Sequence, residues 1–432
     1  MLFYRKHFAA KTLGLVLVIT AIGLSGCASF KPKPTSGGST DYTVTLPPPP
    51  PPPPVASEPV APTTPDVDNA ASQPRVPGIK ILFGTDRLAD VKSPGGFGYL
   101  RNKELTLGEA YITIPPQHSC GRTERPTVLF TVSLERENGE KHLVLKRPLT
   151  ILSEDEFRAA IEAYHGEQSL LFVHGYNTTF EAGLYRTAQL ANDFNIKGPV
   201  FHYSWPSRGK ILAYNYDYDS VRISEKYFQH YLTLITSNPN VKNLTIIAHS
   251  KGNDLVLESL ARMARAAALD GSRRQGPRDP FDQLILASPD LAEDLAHQLI
   301  PEVTPMFKGV TLYANNRDIP LFISRFVNGL NFTPRAGQLS SDGLPLREKG
   351  VDSIDGTAGD FAFLSLKHDA YVADQSLRND VRKLIQTGIR PPEQRSPGKL
   401  IPIPATNPDF WRLILNPSAP PEPDSCQPSQ GR

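Results

Sequence analysis

The chain has 432 residues, enough at roughly 100 to 200 per domain for one large or two modest domains with a well-buried core. Its formal charge is +2 and charged residues make up 21%, an overall balance that speaks against a nucleic-acid-binding protein. Proline is the outlier: of 42, residues 31–77 hold 15 and residues 391–432 hold 11, which leaves 16 for positions 78–390, about the 5% of ordinary globular chains. Residues 78–395 are therefore expected to be the folded domain. Residues 396–432 read as a proline-rich tail whose one apolar stretch, Phe410 to Leu415, is placed to dock on it.

The chain starts with basic residues (Arg5, Lys6, Lys11) and an apolar run from Leu13 to Leu24, then Leu24-Ser25-Gly26-Cys27. The run is about twelve residues, too short for a bilayer-spanning helix of about 20, and fits a signal segment. The tetrad resembles the bacterial lipobox. That resemblance implies removal of residues 1–26, diacylglycerol on the Cys27 thiol and acylation of the new amino terminus, more than the two signals that stable anchoring needs. Ala28, where an inner-membrane retention signal would carry Asp, resembles outer-membrane sorting, so a lipid-anchored protein facing the periplasm is expected. Residues 27–77 then form anchor and spacer. They include eight consecutive prolines, Pro47 to Pro54, which make stiff polyproline II at about 3.1 Å per residue amid Ser, Thr and Gly too polar to order themselves. Two cysteines remain, Cys120 and Cys426; in an oxidising compartment a bridge between them would pin the tail to an early loop, although two leftover cysteines need not be close. With no C-x-x-C or H-E-x-x-H pattern, neither metal nor other cofactor is expected.

Within 78–390, short β-branched or aromatic runs give way from about residue 155 to an alternation of apolar strands and longer helical patterns. Strands are predicted at Lys80 to Phe83, Glu109 to Ile114, Val128 to Glu135, His142 to Lys146, Ser169 to Val173, Val200 to Ser204, Leu244 to Ala248, Gln283 to Ala287, Val310 to Ala314 and Val351 to Ile354. The first four look antiparallel. Continuously apolar runs such as Leu170-Leu171-Phe172-Val173 suit strands buried on both faces of a parallel sheet. Helices at Phe180 to Asn192, Ser220 to Thr236, Asn253 to Ala268 and Leu291 to Leu299 supply the crossovers. The fold class is thus α/β: a mostly parallel central sheet flanked by helices, with an N-terminal antiparallel region.

Chemistry concentrates at Ala248-His249-Ser250-Lys251-Gly252, directly after an apolar strand and directly before a helix. A serine on such a strand-to-helix turn is presented as a nucleophile, its neighbours two before and two after must be small, and the helix points its positive end at the serine. Alanine replaces the usual first glycine. Upstream, Val173-His174-Gly175-Tyr176-Asn177 ends another buried strand with a turn able to aim an N–H at the serine. Acyl transfer needs two donors at the developing oxyanion, here assigned to the backbone amides of Tyr176 and Lys251.

These two motifs, in this order and about 75 residues apart, resemble the α/β-hydrolase fold. Thr85-Asp86-Arg87, His174 to Asn177, Ser204-Trp205-Pro206-Ser207 and Ala248 to Asn253 together resemble a bacterial esterase/lipase-like branch of that superfamily, largely of unknown function, over roughly residues 78–385. In this fold the nucleophile precedes the acid and the acid precedes the histidine, which implies the rest of a triad. Only His297 and His368 follow Ser250, and His297 falls inside a predicted helix, so His368 is the expected general base. Asp318, after the strand Val310 to Ala314, is the expected acid; Asp290, at the end of the preceding strand, is the alternative.

Trp205, Tyr214, Tyr216 and Tyr218 either line an acyl pocket or pack, and Asp86 with Arg87 is expected to form a structural ion pair or turn rather than to act in catalysis. His249 is expected to pack beneath the elbow. The expectation is a membrane-anchored serine hydrolase for small or lipid-like carboxylic esters; a thioesterase, amidase or acyltransferase would use the same residues. The alternative is a non-catalytic envelope lipoprotein with the fold as a binding platform. No protein partner is named by the sequence.

Overall fold

The computed structural model describes residues 78–129, 132–133, 135–164, 168–210, 213–269, 280–316, 334–359 and 375–415. A long hairpin opens the domain, β1 (Gly78–Ala89) and β2 (Phe97–Thr113), paired antiparallel from Gly78↔Thr113 to Ala89↔Phe97. β3 (Val128–Leu129) and β4 (Val132–Ser133) make a separate small ribbon, while β5 (Val144–Leu145) and β6 (Thr150–Leu152) pair antiparallel with β2. The antiparallel N-terminal region is as expected, but the one strand predicted from Val128 to Glu135 is instead the two short strands β3 and β4, which pair with each other outside the main sheet.

The body of the sheet is parallel: β7 (Gln168–Val173), β8 (Val200–Ser204), β9 (Lys242–His249), β10 (Phe281–Ala287), β11 (Gly309–Ala314) and β12 (Val351–Asp355). In space they run β12-β11-β10-β9-β7-β8-β1. Helices connect or flank them: α1 (Glu154–Glu162), α2 (Phe180–Asp193), α3 (Tyr214–Thr236), α4 (Gly252–Leu269), α5 (Glu293–Val303), α6 (Ser376–Thr387) and α7 (Pro392–Arg395). Local chemistry sets their ends. Ser153 and Glu156 form a capping box before α1, the Thr179 hydroxyl accepts from the Ala182 N–H at the start of α2, and α6 stops at Gly388 with φ +64°.

The apolar strands divide their side chains between two cores, as a period of two requires. Leu170 and Phe172 of β7 pack with α2 and α6, whereas Leu171 and Val173 pack with α1, α3, α4 and α5. The chain passes from β7 to β8 on one side and then returns past β7 to β9 on the other. The carboxyl ends of β7 and β9 therefore lie at the point where strand order reverses, where open α/β sheets bind ligands.

The boundary expected at residue 395 needs correction. β13 (Leu400–Ile403) and β14 (Phe410–Leu413) extend the sheet, with β14 parallel to β12 at Ile354↔Trp411 and Asp355↔Arg412. Leu400, Trp411 and Leu413 join the α2/α6 core. High proline content concealed these strands, yet Pro402 sits in the outermost strand, β13, where its missing N–H disturbs little.

Candidate active site

β9 ends at His249 and α4 begins at Gly252, so Ser250 occupies the turn between them, with φ +49°, a conformation that residues with a side chain seldom adopt. Its backbone is fixed from several directions. The Ser250 N–H donates to Ala287 O (2.9 Å), and Ser250 O accepts from Asn253 Nδ2 (2.8 Å), Asn253 N (3.1 Å) and Asp290 N (3.2 Å). A Cβ on Gly252 would stand 2.5 Å from His174 O, and one on Gly175 would stand 2.8 Å from the Ser250 Cβ. Both glycines are thus required by the close approach of the β7 turn to the elbow. The Ser250 Oγ is buried and hydrogen-bonds to no described residue.

Tyr176 follows Gly175 in the β7 turn, and Lys251 follows Ser250 in the elbow. Asn177, with φ +58°, continues the β7 turn, and its N–H donates to Asp217 Oδ2 (3.3 Å). Asp217 also accepts from the Ser207 hydroxyl (2.6 Å) and the Arg208 N–H (2.7 Å), so one carboxylate at the start of α3 ties the β7 turn to the turn after β8. Burial raises its pKa, with those donors pulling the other way. Ser220, on the same helix, accepts from Arg101 Nε (2.9 Å) and so holds α3 to β2.

The second tie is Arg87, which is 1% exposed. Its Nε donates to Ser204 Oγ (2.8 Å), Nη1 to Ser207 O (2.9 Å) and Gly98 O (3.1 Å), and Nη2 to Thr178 O (2.8 Å). Burial lowers its pKa to about 10. Of the two structural roles expected for Asp86 and Arg87, ion pair or turn, the described contacts show no ion pair between them, while the Arg87 N–H donates locally to Thr85 Oγ1 (3.1 Å). The Asp86 carboxylate instead accepts from Tyr203 OH (2.9 Å) and Ser224 Oγ (2.7 Å), and burial pushes its pKa up to about 6. Successive strand residues point to opposite faces, which sends the two charges into different environments.

His174 is a neutral packing residue. Burial first, then Arg87 and His202, hold its pKa well below the ordinary value. Its Nδ1 lies 2.8 Å from Gly175 O, which can only accept; Nδ1 therefore carries the proton and Nε2 accepts from Ser204 Oγ (3.3 Å). Trp205 is fully buried, stacks on His174 at 4.9 Å and donates Nε1 to His174 O (2.8 Å), so it packs rather than lines a pocket. His249 is buried against Gly175, with its pKa lowered to about 4 by burial and Arg186. His297 is half-exposed on α5 and pairs with Glu348 and Glu293.

On the other side of the elbow, Lys251 Nζ is buried, donates to Asp254 Oδ2 (2.5 Å) and Asp290 O (3.3 Å), and lies 4.7 Å from the Tyr218 ring. Burial alone would lower its pKa, but Asp254 and Asp290 outweigh it and raise the value. Asp290 reaches the elbow through its backbone, while its carboxylate accepts from Tyr214 OH (3.1 Å) and lies 3.6 Å from Arg335 Nε. Asp318, His368, Cys27 and Cys426 lie outside the described residues. Cys120 is disulfide-bonded. Among the described residues no group of His, Cys, Asp and Glu suits a metal ion. Sequence reasoning missed the tying roles of Arg87 and Asp217 and the side chain of Lys251; the available signal was a charged residue within or beside each motif.

A family model described as "Alpha/beta hydrolase of unknown function (DUF900)" matches residues 152–387. Among solved structures, the chain is similar to an esterase of Pyrobaculum calidifontis, solved in a monoclinic form, at 9% identity and a TM-score of 0.22. The match covers 39% of this chain and 64% of that one, a little under two thirds of the esterase. A comparison with curated proteins finds no match.

Proposed function

Since this chain belongs to the family of alpha/beta hydrolases of unknown function, we propose that it is a serine hydrolase cleaving carboxylic esters through an acyl-enzyme on Ser250. One observation carries the reading: a serine held at φ +49° between a buried strand and a helix, its buried hydroxyl without a described partner. A strained backbone at a strand-to-helix turn is retained where it aims a side chain at chemistry.

In this reading His368 removes the Ser250 proton as Oγ attacks the acyl carbon. The oxyanion that forms accepts from the N–H groups of Tyr176 and Lys251 at the positive end of α4. His368 then passes the proton to the departing alcohol, and water, activated by the same imidazole, hydrolyses the ester to Ser250. Asp318 is assigned to orient the imidazole, because the carboxylate of the alternative, Asp290, already serves Tyr214 and Arg335. Acylation at Cys27 would hold the enzyme on the outer membrane, facing the periplasm.

The test is covalent labelling of the detergent-solubilised full chain with a fluorophosphonate. Wild type is expected to label and Ser250→Ala to stay blank. Equal labelling of both, or none of a folded wild type, rejects the assignment.

A further inference from the structure

The near-zero net charge of the chain hides an uneven surface beside the elbow. At the free end of the β1–β2 hairpin, Val91 is 97% exposed, with Leu88 (43%), Leu100 (50%) and Tyr99 (39%) around it. Beyond Thr85 this hairpin pairs only with itself among the described strands. It is fastened to the first turns of α3: Tyr216 OH donates to Tyr99 O (2.8 Å) and Arg101 Nη2 to Tyr216 O (2.9 Å). The exposed side chains of α3 continue the pattern with Tyr218 (40%) and Ile223 (42%).

Cations are interleaved with these rings. The Arg101 guanidinium lies 4.2 Å from the Tyr216 ring, Arg208 lies 5.1 Å from Tyr99, and Arg222 lies 5.9 Å from Tyr218. Arg208 and Arg222 are exposed and form no ion pair with a described carboxylate. Lys92, Lys103 and Lys210 are exposed on the same segments, against Asp90, Glu104 and Asp219. Exposed aliphatic tips, tyrosines and unpaired arginines together match the interface of a bilayer, where apolar side chains enter the acyl boundary, aromatic rings sit at headgroup depth and cations meet anionic lipid. The surface also reaches the proposed chemistry. Tyr218 lies 4.7 Å from Lys251 Nζ, and Lys251 adjoins Ser250.

We infer that the β1–β2 hairpin tip and the N-terminal turns of α3 form a docking face for anionic phospholipid bilayers, which presents membrane-borne esters to Ser250. Only the second clause rests on the hydrolase reading. Docking through Leu88, Val91, Tyr99, Leu100, Arg208 and Arg222 is a separate property of the fold. Lipid anchorage at Cys27 would bring the chain near a membrane without orienting it; this face would set which side of the domain meets the lipid.

The described part of the chain offers a clean reporter. Its two tryptophans, Trp205 and Trp411, are 0% and 6% exposed, so Val91→Trp adds one exposed indole at the tip. The full chain carrying Val91→Trp is mixed with vesicles of phosphatidylcholine alone or with added phosphatidylglycerol, each made with or without brominated acyl chains. The expected result is a blue shift and quenching by bromine that grow with the anionic fraction and fall with salt. Arg208→Glu with Arg222→Glu in that background replaces two positive charges by two negative ones and is expected to weaken tip docking on the order of 10²-fold at low salt. An indole that stays in water while the chain floats with the vesicles through its N-terminal segment overturns the proposal. So does an indole that responds to a soluble polyanion such as heparin but not to vesicles. Fluorophosphonate labelling of the same sample reports Ser250 independently, so failure to dock and failure to react are distinguished.

Discussion

Replacing Arg87 by methionine tests whether the turns around the proposed nucleophile are held from beneath. The guanidinium supplies donors to Ser204 Oγ, Ser207 O, Gly98 O and Thr178 O at 2.8–3.1 Å from a position 1% exposed. Methionine fills similar volume and leaves four acceptors short of a partner. A buried group stripped of its hydrogen bond costs about 1–3 kcal/mol. Partial hydration and relaxation reduce the sum, giving an expected loss of roughly 3–5 kcal/mol. That is a large part of the 5–15 kcal/mol typical of a whole domain. Urea unfolding followed by far-ultraviolet circular dichroism reads the loss as a lower midpoint at unchanged slope. Arg87→Lys keeps the charge but not the planar fork and is expected to recover less than half of it. Because Thr178 and Ser207 belong to the two turns that flank the site, both variants should also label more slowly with fluorophosphonate under conditions where they remain folded. A loss below about 1 kcal/mol with wild-type labelling would refute the reasoning.

Two further outcomes are expected. Asp318→Asn should lower the hydrolysis of p-nitrophenyl acetate on the order of 10⁴-fold, as loss of the orienting acid does in serine triads, while Asp290→Asn should cost less than about tenfold; the reverse ranking would move the acid to Asp290. The second concerns His118, whose Nδ1 lies 2.8 Å from Glu124 Oε2 and whose Nε2 lies 2.8 Å from Asp193 Oδ1. Burial opposes its charge, but Asp193 and Glu124 raise its pKa to about 10. A raised folded-state value means stability fully present below about pH 6.5 and lost as pH rises through about 10, each tenfold in proton affinity being worth roughly 1.4 kcal/mol. The urea midpoint should therefore fall between pH 7 and pH 10, and His118→Gln should flatten that part of the profile; an equal slope in both proteins would show that the imidazolium does not hold the Cys120 loop to α2.

The parallel body of the fold was legible because its strands are continuously apolar, and all six predicted strands from Ser169 to Ile354 lie within β7 to β12. The helices between them were legible by the same contrast of periods. β13 and β14 were not, since a composition rich in proline reads as tail and only the pairing of Trp411 with Ile354 shows otherwise. Helix α6 was not predicted although Leu377, Val381, Leu384 and Ile385 carry the i, i+4, i+7, i+8 spacing of an amphipathic helix, set among many polar residues. At the site, the elbow and the glycine turn were readable as local geometry: a positive φ at Ser250, a crowded Gly175 and a crowded Gly252. The long-range partners of the charges were not readable. Arg87 follows Asp86 directly, and sequence adjacency suggested a pair, but the strand sends one toward Tyr203 and Ser224 and the other toward the carbonyls of Gly98, Thr178 and Ser207.

That division of labour bears on what the motifs signify. Thr85 donates its hydroxyl to Ser204 O (2.6 Å), Arg87 gathers Ser204, Ser207 and Thr178, Asp217 gathers Ser207, Arg208 and Asn177, and Trp205 caps His174 O. Most of the residues that make the chain resemble its family therefore fix the turns after β7 and β8 relative to each other. Preorganised donors are effective because they do not have to reorganise as charge develops, so the proposed acyl transfer would call for rigid turns beneath the Tyr176 N–H. Such a requirement is indifferent to the alcohol or acyl group of the ester. Selectivity then falls to side chains that face outward near the elbow, and among the described residues Tyr218, 40% exposed and 4.7 Å from Lys251 Nζ, stands closest to that role, on the flank that continues into the hairpin surface. Substitution at Tyr218 is accordingly expected to change which esters are cleaved while leaving fluorophosphonate labelling of Ser250 intact. Substitution at Arg87 or Asp217 is expected to slow every substrate alike, and a substrate-selective effect of Arg87→Lys would show that the buried frame also shapes the pocket.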